Sequence, residues 1–163
     1  EMIKDSGAEY VIIGHSERRQ YFNESTKLIA DKIKTAHKLN LKVILCIGEL
    51  KSEIRNRKKV LRNQLKSLPI NPNHKNLIIA YEPVWAIGTG LTPSLLEINE
   101  IHSSIRSILK PKLDFSNKVS ILYGGSVNAK NAKEILSLKN VDGALVGGAS
   151  LQISEFSKII DYS

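Results

Sequence analysis

Five short apolar runs alternate with longer amphipathic stretches along the chain. The runs are rich in β-branched residues and are continuous rather than alternating, a pattern typical of strands in a parallel sheet that is covered on both faces. We therefore predict five strands, at residues 10–13, 42–47, 77–81, 119–123 and 143–146.

Between these runs, apolar residues recur at three- and four-residue steps, which is the period of an amphipathic helix. The three longest stripes comprise Leu28, Ile29, Ile33, Ala36 and Leu39; Ile54, Leu61, Leu65 and Leu68; and Leu96, Ile98, Ile101, Ile105 and Leu109. Thr92 is the predicted N-cap of the third helix, with Pro93 at its first position. Shorter helices are predicted at 131–138 and 154–160, and turn-rich loops at 69–73 and 111–117.

The alternation is a βα unit repeated five times, with spacings that suit right-handed crossovers. A (β/α) barrel of eight units takes about 250 residues, or about 31 for each unit. The 163 residues therefore correspond to about five units, and a barrel would lack three. No linker interrupts the series, so a single domain spanning 1–163 is expected.

Composition narrows the class of protein but does not select a partner. Twenty-four Lys and Arg against 16 Asp and Glu give a net charge of +8, which permits attraction to nucleic acid, acidic lipid or a small anionic substrate. The densest basic run, 55–59, has no aromatic residue and lies in a helical pattern, so a solvated helix face is the simpler interpretation. A basic nucleic-acid-interacting module is kept as a remote alternative.

The single cysteine, Cys46, and the lack of zinc-ligand spacing predict no disulfide and no metal site. No apolar run approaches the roughly 20 residues that span a bilayer. The N-terminal residues do not form a signal peptide. We therefore expect a cytoplasmic protein without membrane contact.

Residues whose side chains or backbone could take part in catalysis or binding follow the predicted strands. His15 and Ser16 come directly after the first strand, where a lone histidine more often only caps a loop, and Glu82 comes after the third. Glycine pairs at 124–125 and 147–148 follow the fourth and fifth strands. Parallel sheets gather reactive groups at this edge. An apolar strand before Glu82 would raise the carboxyl pKa and favour a role as a base, although a structural ion pair also fits. Glycine pairs suit a phosphate, and they are also ordinary turn formers.

Four segments, taken together and in order, resemble the triosephosphate isomerase family: YVIIGHSERR at 10–19, AYEPVWAIGTG at 80–90, YGGSV at 123–127 and GALVGGASL at 143–151. CIGE at 46–49 is similar to a further strand-end motif of that family. The resemblance implies an α/β fold of the (β/α)8 TIM barrel family with about five of the eight βα units. It also implies interconversion of dihydroxyacetone phosphate and D-glyceraldehyde 3-phosphate through an enediolate in glycolysis or gluconeogenesis, with no cofactor.

Residue by residue, the resemblance implies that His15 is the electrophile and Glu82 the catalytic base. A neutral histidine beside a glutamate base, enclosed by a closing loop, is the known arrangement of this family, and the resemblance extends it to these two residues. Segment 83–90 resembles that lid. The phosphate contacts implied are Gly88, Ser126, Gly147 and Gly148, and the supporting residues are Ser16, which would hold Glu82 in the open state, and Glu17.

Three departures from the family stand out. Nothing before Tyr10 supplies the Asn-x-Lys motif of the family's first strand-loop, and the loop that interlocks two subunits of its homodimers is also absent here. Leu91 stands where many members carry Lys. We therefore expect a fragment of a longer product, with little activity of its own. A phosphate-binding barrel remnant without turnover is the alternative.

Overall fold

The predicted strands form one parallel sheet in a computed structural model that describes residues 1–68, 76–111 and 119–162. Loop 69–73, and loop 111–117 apart from Pro111, lie outside the described residues. The strands are β1 (Tyr10–Ile13), β2 (Lys42–Ile47), β3 (Leu77–Tyr81), β4 (Ser120–Tyr123) and β5 (Gly143–Ala144).

The sheet keeps its strands in chain order, β1-β2-β3-β4-β5. A doubly wound sheet reverses its order at a switch point, whereas strands of a barrel proceed in one direction. The register is continuous, pairing Tyr10 with Lys42, Val43 with Leu77 and Ile78 with Ser120. The fold is therefore an α/β arc of the TIM barrel type, with five βα units, as predicted.

Seven α-helices are described: α1 (Met2–Asp5), α2 (Ser16–Tyr21), α3 (Thr26–Lys38), α4 (Arg57–Gln64), α5 (Leu95–Leu109), α6 (Ala132–Leu136) and α7 (Ile153–Ile160). Short 3₁₀ helices flank α4 and follow β3 and β5. The predicted N-cap of α5, Thr92, is wrong. Ser94 caps this helix because its hydroxyl accepts from the Glu97 N–H while the Glu97 carboxylate accepts from the Ser94 N–H, which forms a capping box.

The two faces of the sheet differ in burial. Side chains facing the helices, such as Val43, Leu45 and Ile79, are fully buried, whereas Ile44 and Ile78 on the concave face are half-buried. On β1, Ile12 is 49% exposed. The expectation of strands covered on both faces is thus wrong for the part of the concave face formed by Ile12, Ile44 and Ile78, whereas Cys46 and Ala80 on the same face are fully buried.

His102 is a histidine within a helix that lies in the core. It lies on the stripe of α5 that contains Ile98 and Ile105, and it is fully buried. Its ring meets Tyr81 edge-on, with centroids 5.8 Å apart, and lies 6.3 Å from the Tyr123 ring. The position one helical turn after Ile98 faces the core whatever residue occupies it.

Burial lowers the pKa of His102 from 6.5 to about 4, which predicts a pH-dependent stability. Between these two pKa values the unfolded chain binds the proton and the folded chain does not, so stability falls as the pH is lowered from about 6.5 to 4. The full pKa shift corresponds to a loss of about 3 kcal/mol in the free energy of unfolding. Urea unfolding at pH 7 and pH 4.5 measures this loss, and His102→Gln should show a smaller one. Equal losses in both proteins would contradict the prediction.

Candidate active site

His15 is positioned by the tight turn that joins β1 to α2. Gly14 precedes it with φ +73°, and His15 is itself the N-cap residue of α2. Its Nδ1 accepts from the backbone N–H of Glu17 at 3.4 Å. A neutral imidazole whose Nδ1 accepts carries its proton on Nε2. The turn therefore presents an Nε2–H donor to the space beyond the sheet edge.

Glu82 lies directly after β3, at the same edge, and is 2% exposed. Its Oε1 is 3.4 Å from His15 Nε2, and its Oε2 accepts from the backbone N–H of Ser16 at 3.3 Å. Two residues that are 67 positions apart in the sequence thus meet around one point. Ser16 makes this contact through its main chain.

Burial raises the pKa of Glu82 above that of an ordinary glutamate. The thiol of Cys46, the imidazole of His15 and the N–H of Ser16 oppose this shift by favouring the carboxylate. A carboxylate that is poorly hydrated yet held ionised by a few donors is a stronger base than one in water. The environment therefore suits proton abstraction.

Cys46 is fully buried on β2, as predicted for a structural thiol. Burial raises the pKa of this thiol, and the carboxylate of Glu82, to which it is hydrogen-bonded, raises it further. A thiol in such surroundings stays protonated, so it is a poor nucleophile. Its contribution here is a hydrogen bond to Glu82.

Arg19 joins the ends of β1 and β2 beneath the site. Its Nε donates to the carbonyl of Gly14 at 2.7 Å, and its Nη2 donates to the carbonyl of Cys46 at 2.9 Å. The guanidinium also acts electrostatically on Glu82. Sequence reasoning placed Arg19 at the end of the first family-like segment but assigned it no role.

Glycine at 48 is required by close packing of the main chain around Glu82. A Cβ on Gly48 would lie 1.6 Å from the carbonyl oxygen of Glu82, and a Cβ on Gly124 would lie 2.9 Å from its Cγ. Neither contact is possible without a shift of the backbone or the carboxyl side chain. The two glycines thus set the position of Glu82.

We predict that Gly48→Ala destabilises the fold by about 3 kcal/mol, because the new methyl group must displace the main chain of Glu82. Gly148→Ala is the matched control, since a Cβ there meets nothing within 4 Å and Gly148 begins a 3₁₀ helix, a conformation that alanine adopts. Chemical unfolding of the two variants makes the comparison. Equal stabilities would show that the strand ends can separate at little cost.

A buried carboxylate, Glu49, anchors the segment that follows β3. It accepts from Tyr81 Oη at 3.0 Å, from Trp85 Nε1 at 3.2 Å and from Arg57 Nε at 2.9 Å. Its backbone carbonyl also accepts from the Val84 N–H. The sequence did not indicate the indole N–H bond of Trp85 to Glu49, because no local pattern reports it.

The residues predicted to contact phosphate lie at the ends of three different strands. Gly88 is exposed with φ +66° in the segment after β3, and Gly147 and Gly148 are exposed after β5. Ser126 donates its hydroxyl to the carbonyl of Ala86 at 2.5 Å, which ties the loop after β4 to that segment. None of the four contacts Glu82 among the described residues. Glu17, the other supporting candidate, has an exposed carboxylate 4.0 Å from His15 Nδ1.

Within the described ranges, no three His, Cys, Asp or Glu side chains are grouped in a way that could hold a metal ion. The same ranges include no helix that is both long enough and apolar enough to cross a membrane.

Comparison with known proteins gives consistent matches along the whole chain. The family model described as "Triosephosphate isomerase" matches residues 1–163. Relatives named triosephosphate isomerase from Alkaliphilus oremlandii and Thermodesulfovibrio yellowstonii are both 49% identical; each alignment covers 99% of this chain, and 68% and 67% of the relative. One from Chloroherpeton thalassium is 45% identical over 98% of this chain and 66% of its own length. The chain thus spans about two thirds of these relatives.

Proposed function

The chain belongs to the triosephosphate isomerase family, and on that premise we propose that it interconverts dihydroxyacetone phosphate and D-glyceraldehyde 3-phosphate by proton transfer through an enediolate. The observation that carries the proposal is the 3.4 Å approach of His15 Nε2 to Glu82 Oε1 at the carboxyl edge of the sheet. One group is an acceptor for protons and the other a donor to oxygen, and this is the pair that the reaction needs.

In the proposed reaction, Glu82 removes one of the two protons on C1 of dihydroxyacetone phosphate. The electron pair of the C–H bond forms the C1–C2 double bond, and the carbonyl oxygen takes the negative charge. His15 stabilises that oxygen through its Nε2–H. Return of the proton from Glu82 to C2, with proton transfer between the two oxygens, gives the aldehyde.

The contact between Ser16 and Glu82 fits the state before substrate enters. Its N–H holds Oε2 at 3.3 Å, and a substrate placed between His15 and Glu82 would replace the direct approach of these two groups. We propose that Glu82 then turns from Ser16 to the substrate carbon. Gly88, Ser126, Gly147 and Gly148 would bind the phosphate, with the hydroxyl of Ser126 passing from Ala86 to the ligand.

Deuterium exchange tests this proposal at the level of the proton transfer itself. Dihydroxyacetone phosphate incubated in D₂O with the 163-residue chain at high concentration should lose its C1 proton faster than in buffer alone, as followed by ¹H NMR. Calorimetry with phosphoglycolate is run in parallel. Binding without exchange would instead support the alternative of a phosphate-binding remnant, and neither binding nor exchange would contradict both.

A further inference from the structure

A basic groove lies on the outer surface between α4 and α5. It encloses about 790 Å³, a volume within the range of small-molecule sites. One wall carries cations from α4 and from the end of the 3₁₀ helix that precedes it (Lys51–Asn56). The other wall carries hydroxyl and amide groups from α5. The lining includes Arg55, Arg57, Lys58, Lys59, Asn99, Glu100, Ser103 and Ser104. A second depression, lined by Arg62 and Ser107, continues it and shares Lys58, Ser103 and Ser104.

Four of the five cations that line this groove are not neutralised within the described part of the chain, and the fifth, Arg57, pairs with Glu49. Among the described residues, the side chains of Arg55, Lys58, Lys59 and Arg62 form no ion pair, and Glu100 is the one acidic residue in the lining. Surface helices commonly offset such charges with acidic neighbours three or four residues away, and α4 (Arg57–Gln64) has none. The groove therefore holds an excess of positive charge, which the single carboxylate of Glu100 on the α5 wall does not balance.

Arg57 gives the groove one fixed cation. Its Nε is held by the buried Glu49 at 2.9 Å, which fixes the plane of the guanidinium, while its buried Nη2 has no hydrogen-bond partner within the described part of the chain. Because this Nη2 is buried, a ligand in the groove cannot reach it, and Arg57 mainly fixes the wall of the groove. The exposed Arg55 and Arg62 are the arginines that can present N–H donors to phosphoryl oxygens in a planar fork.

We propose that this groove binds a linear polyphosphate group, such as that of a phosphoanhydride-containing metabolite. Arg55, in the 3₁₀ helix before α4, and Arg62, on α4, are seven residues apart, at least about 10 Å along the helix axis, so a single phosphoryl group does not contact both closely. A chain of phosphoryl groups spans that distance. None of the described lining residues is aromatic, so the groove offers no surface on which nucleobases could stack, which disfavours a nucleic acid.

Titration calorimetry with inorganic triphosphate at low ionic strength tests this site. We expect saturable binding that weakens at least about tenfold in the double variant Arg55→Gln/Lys59→Gln, because two exposed cations are removed from one wall. Lys27→Gln/Lys38→Gln, on α3, is the matched control: it removes the same charge from exposed positions outside the groove and should change the affinity less than twofold.

Three outcomes would overturn the proposal. Equal weakening by the two double variants would mean attraction to net charge alone. Displacement of triphosphate by phosphoglycolate would place the anion at the edge of the sheet with His15 and Glu82. Tighter binding of oligothymidylate than of triphosphate, at equal phosphate concentration, would identify a nucleic-acid interface. Because the readout is binding in a groove whose lining includes neither His15 nor Glu82, failure here leaves the proposed isomerisation untouched.

Discussion

Replacement of Glu82 by glutamine is expected to lower the rate of C1 proton exchange in dihydroxyacetone phosphate by about 10³-fold, within the range that general bases contribute. The amide has nearly the volume of the carboxyl group and can keep a contact with the Ser16 N–H, so the fold should survive. It has no basic oxygen of comparable strength. The variant thus removes the proton acceptor and leaves the surrounding side chains in place.

The exposed carboxylate of Glu134 on α6 provides the control, since Glu134→Gln changes charge in the same way far from the strand ends. Exchange by the parent chain should also fall at acid pH, with its midpoint above the ordinary glutamate value, because burial raises the pKa of Glu82. Exchange that persists at the parental rate in Glu82→Gln would assign the base to another residue.

The second large effect concerns the 163 residues taken alone, whose turnover should be at least about 10³-fold below that of the Alkaliphilus oremlandii relative. Loss of one preorganised electrostatic donor commonly costs about 10²–10³ in rate. The donor in question is the lysine of the family's Asn-x-Lys motif. Lys4, the single lysine ahead of β1, does not replace it, because its Nζ donates to the carbonyl of Leu39. The half-exposed concave face would also let substrate and Glu82 move relative to each other, which costs further rate.

A coupled assay on both purified proteins, under the same conditions and over a wide range of enzyme concentration, measures the ratio. A turnover close to that of the relative, abolished by Glu82→Gln, would contradict the expectation. Such a result would show that these five βα units contain all the groups that the transition state needs.

Strand positions could be predicted well from the sequence because continuous β-branched runs have few other uses. β1, β2 and β3 begin and end where the pattern indicated. β4 begins one residue late, and β5 ends at Ala144 because the chain, after the Leu145 N–H bonds Tyr123, turns into the glycine pair. Helix caps were less secure: Thr92 and Ser94 both have capping hydroxyls, and only the position of Glu97 relative to Ser94 decides between them.

The approach of His15 to Glu82 could be expected from strand ends at one sheet edge, whereas the shell around them could not. Glu49 draws its donors from β3, α4 and the segment after β3, and this combination has no local signature. The burial of His102, by contrast, follows from its place on the apolar stripe of α5, where Ile98 and Ile105 already mark the inward side.

The clamp that Arg19 forms between Gly14 and Cys46 has a consequence for how the molecule loosens. Two charge-assisted bonds cross-link the ends of β1 and β2 independently of the sheet's own ladder. Local opening of β1 can then begin at its amino-terminal end, where Tyr10 and Ile12 are half-exposed. The two hydrogen bonds of Arg19 that hold the turn before His15 need not break when this happens. The position of His15 at the carboxyl end of β1 is therefore little affected when the other end of that strand opens.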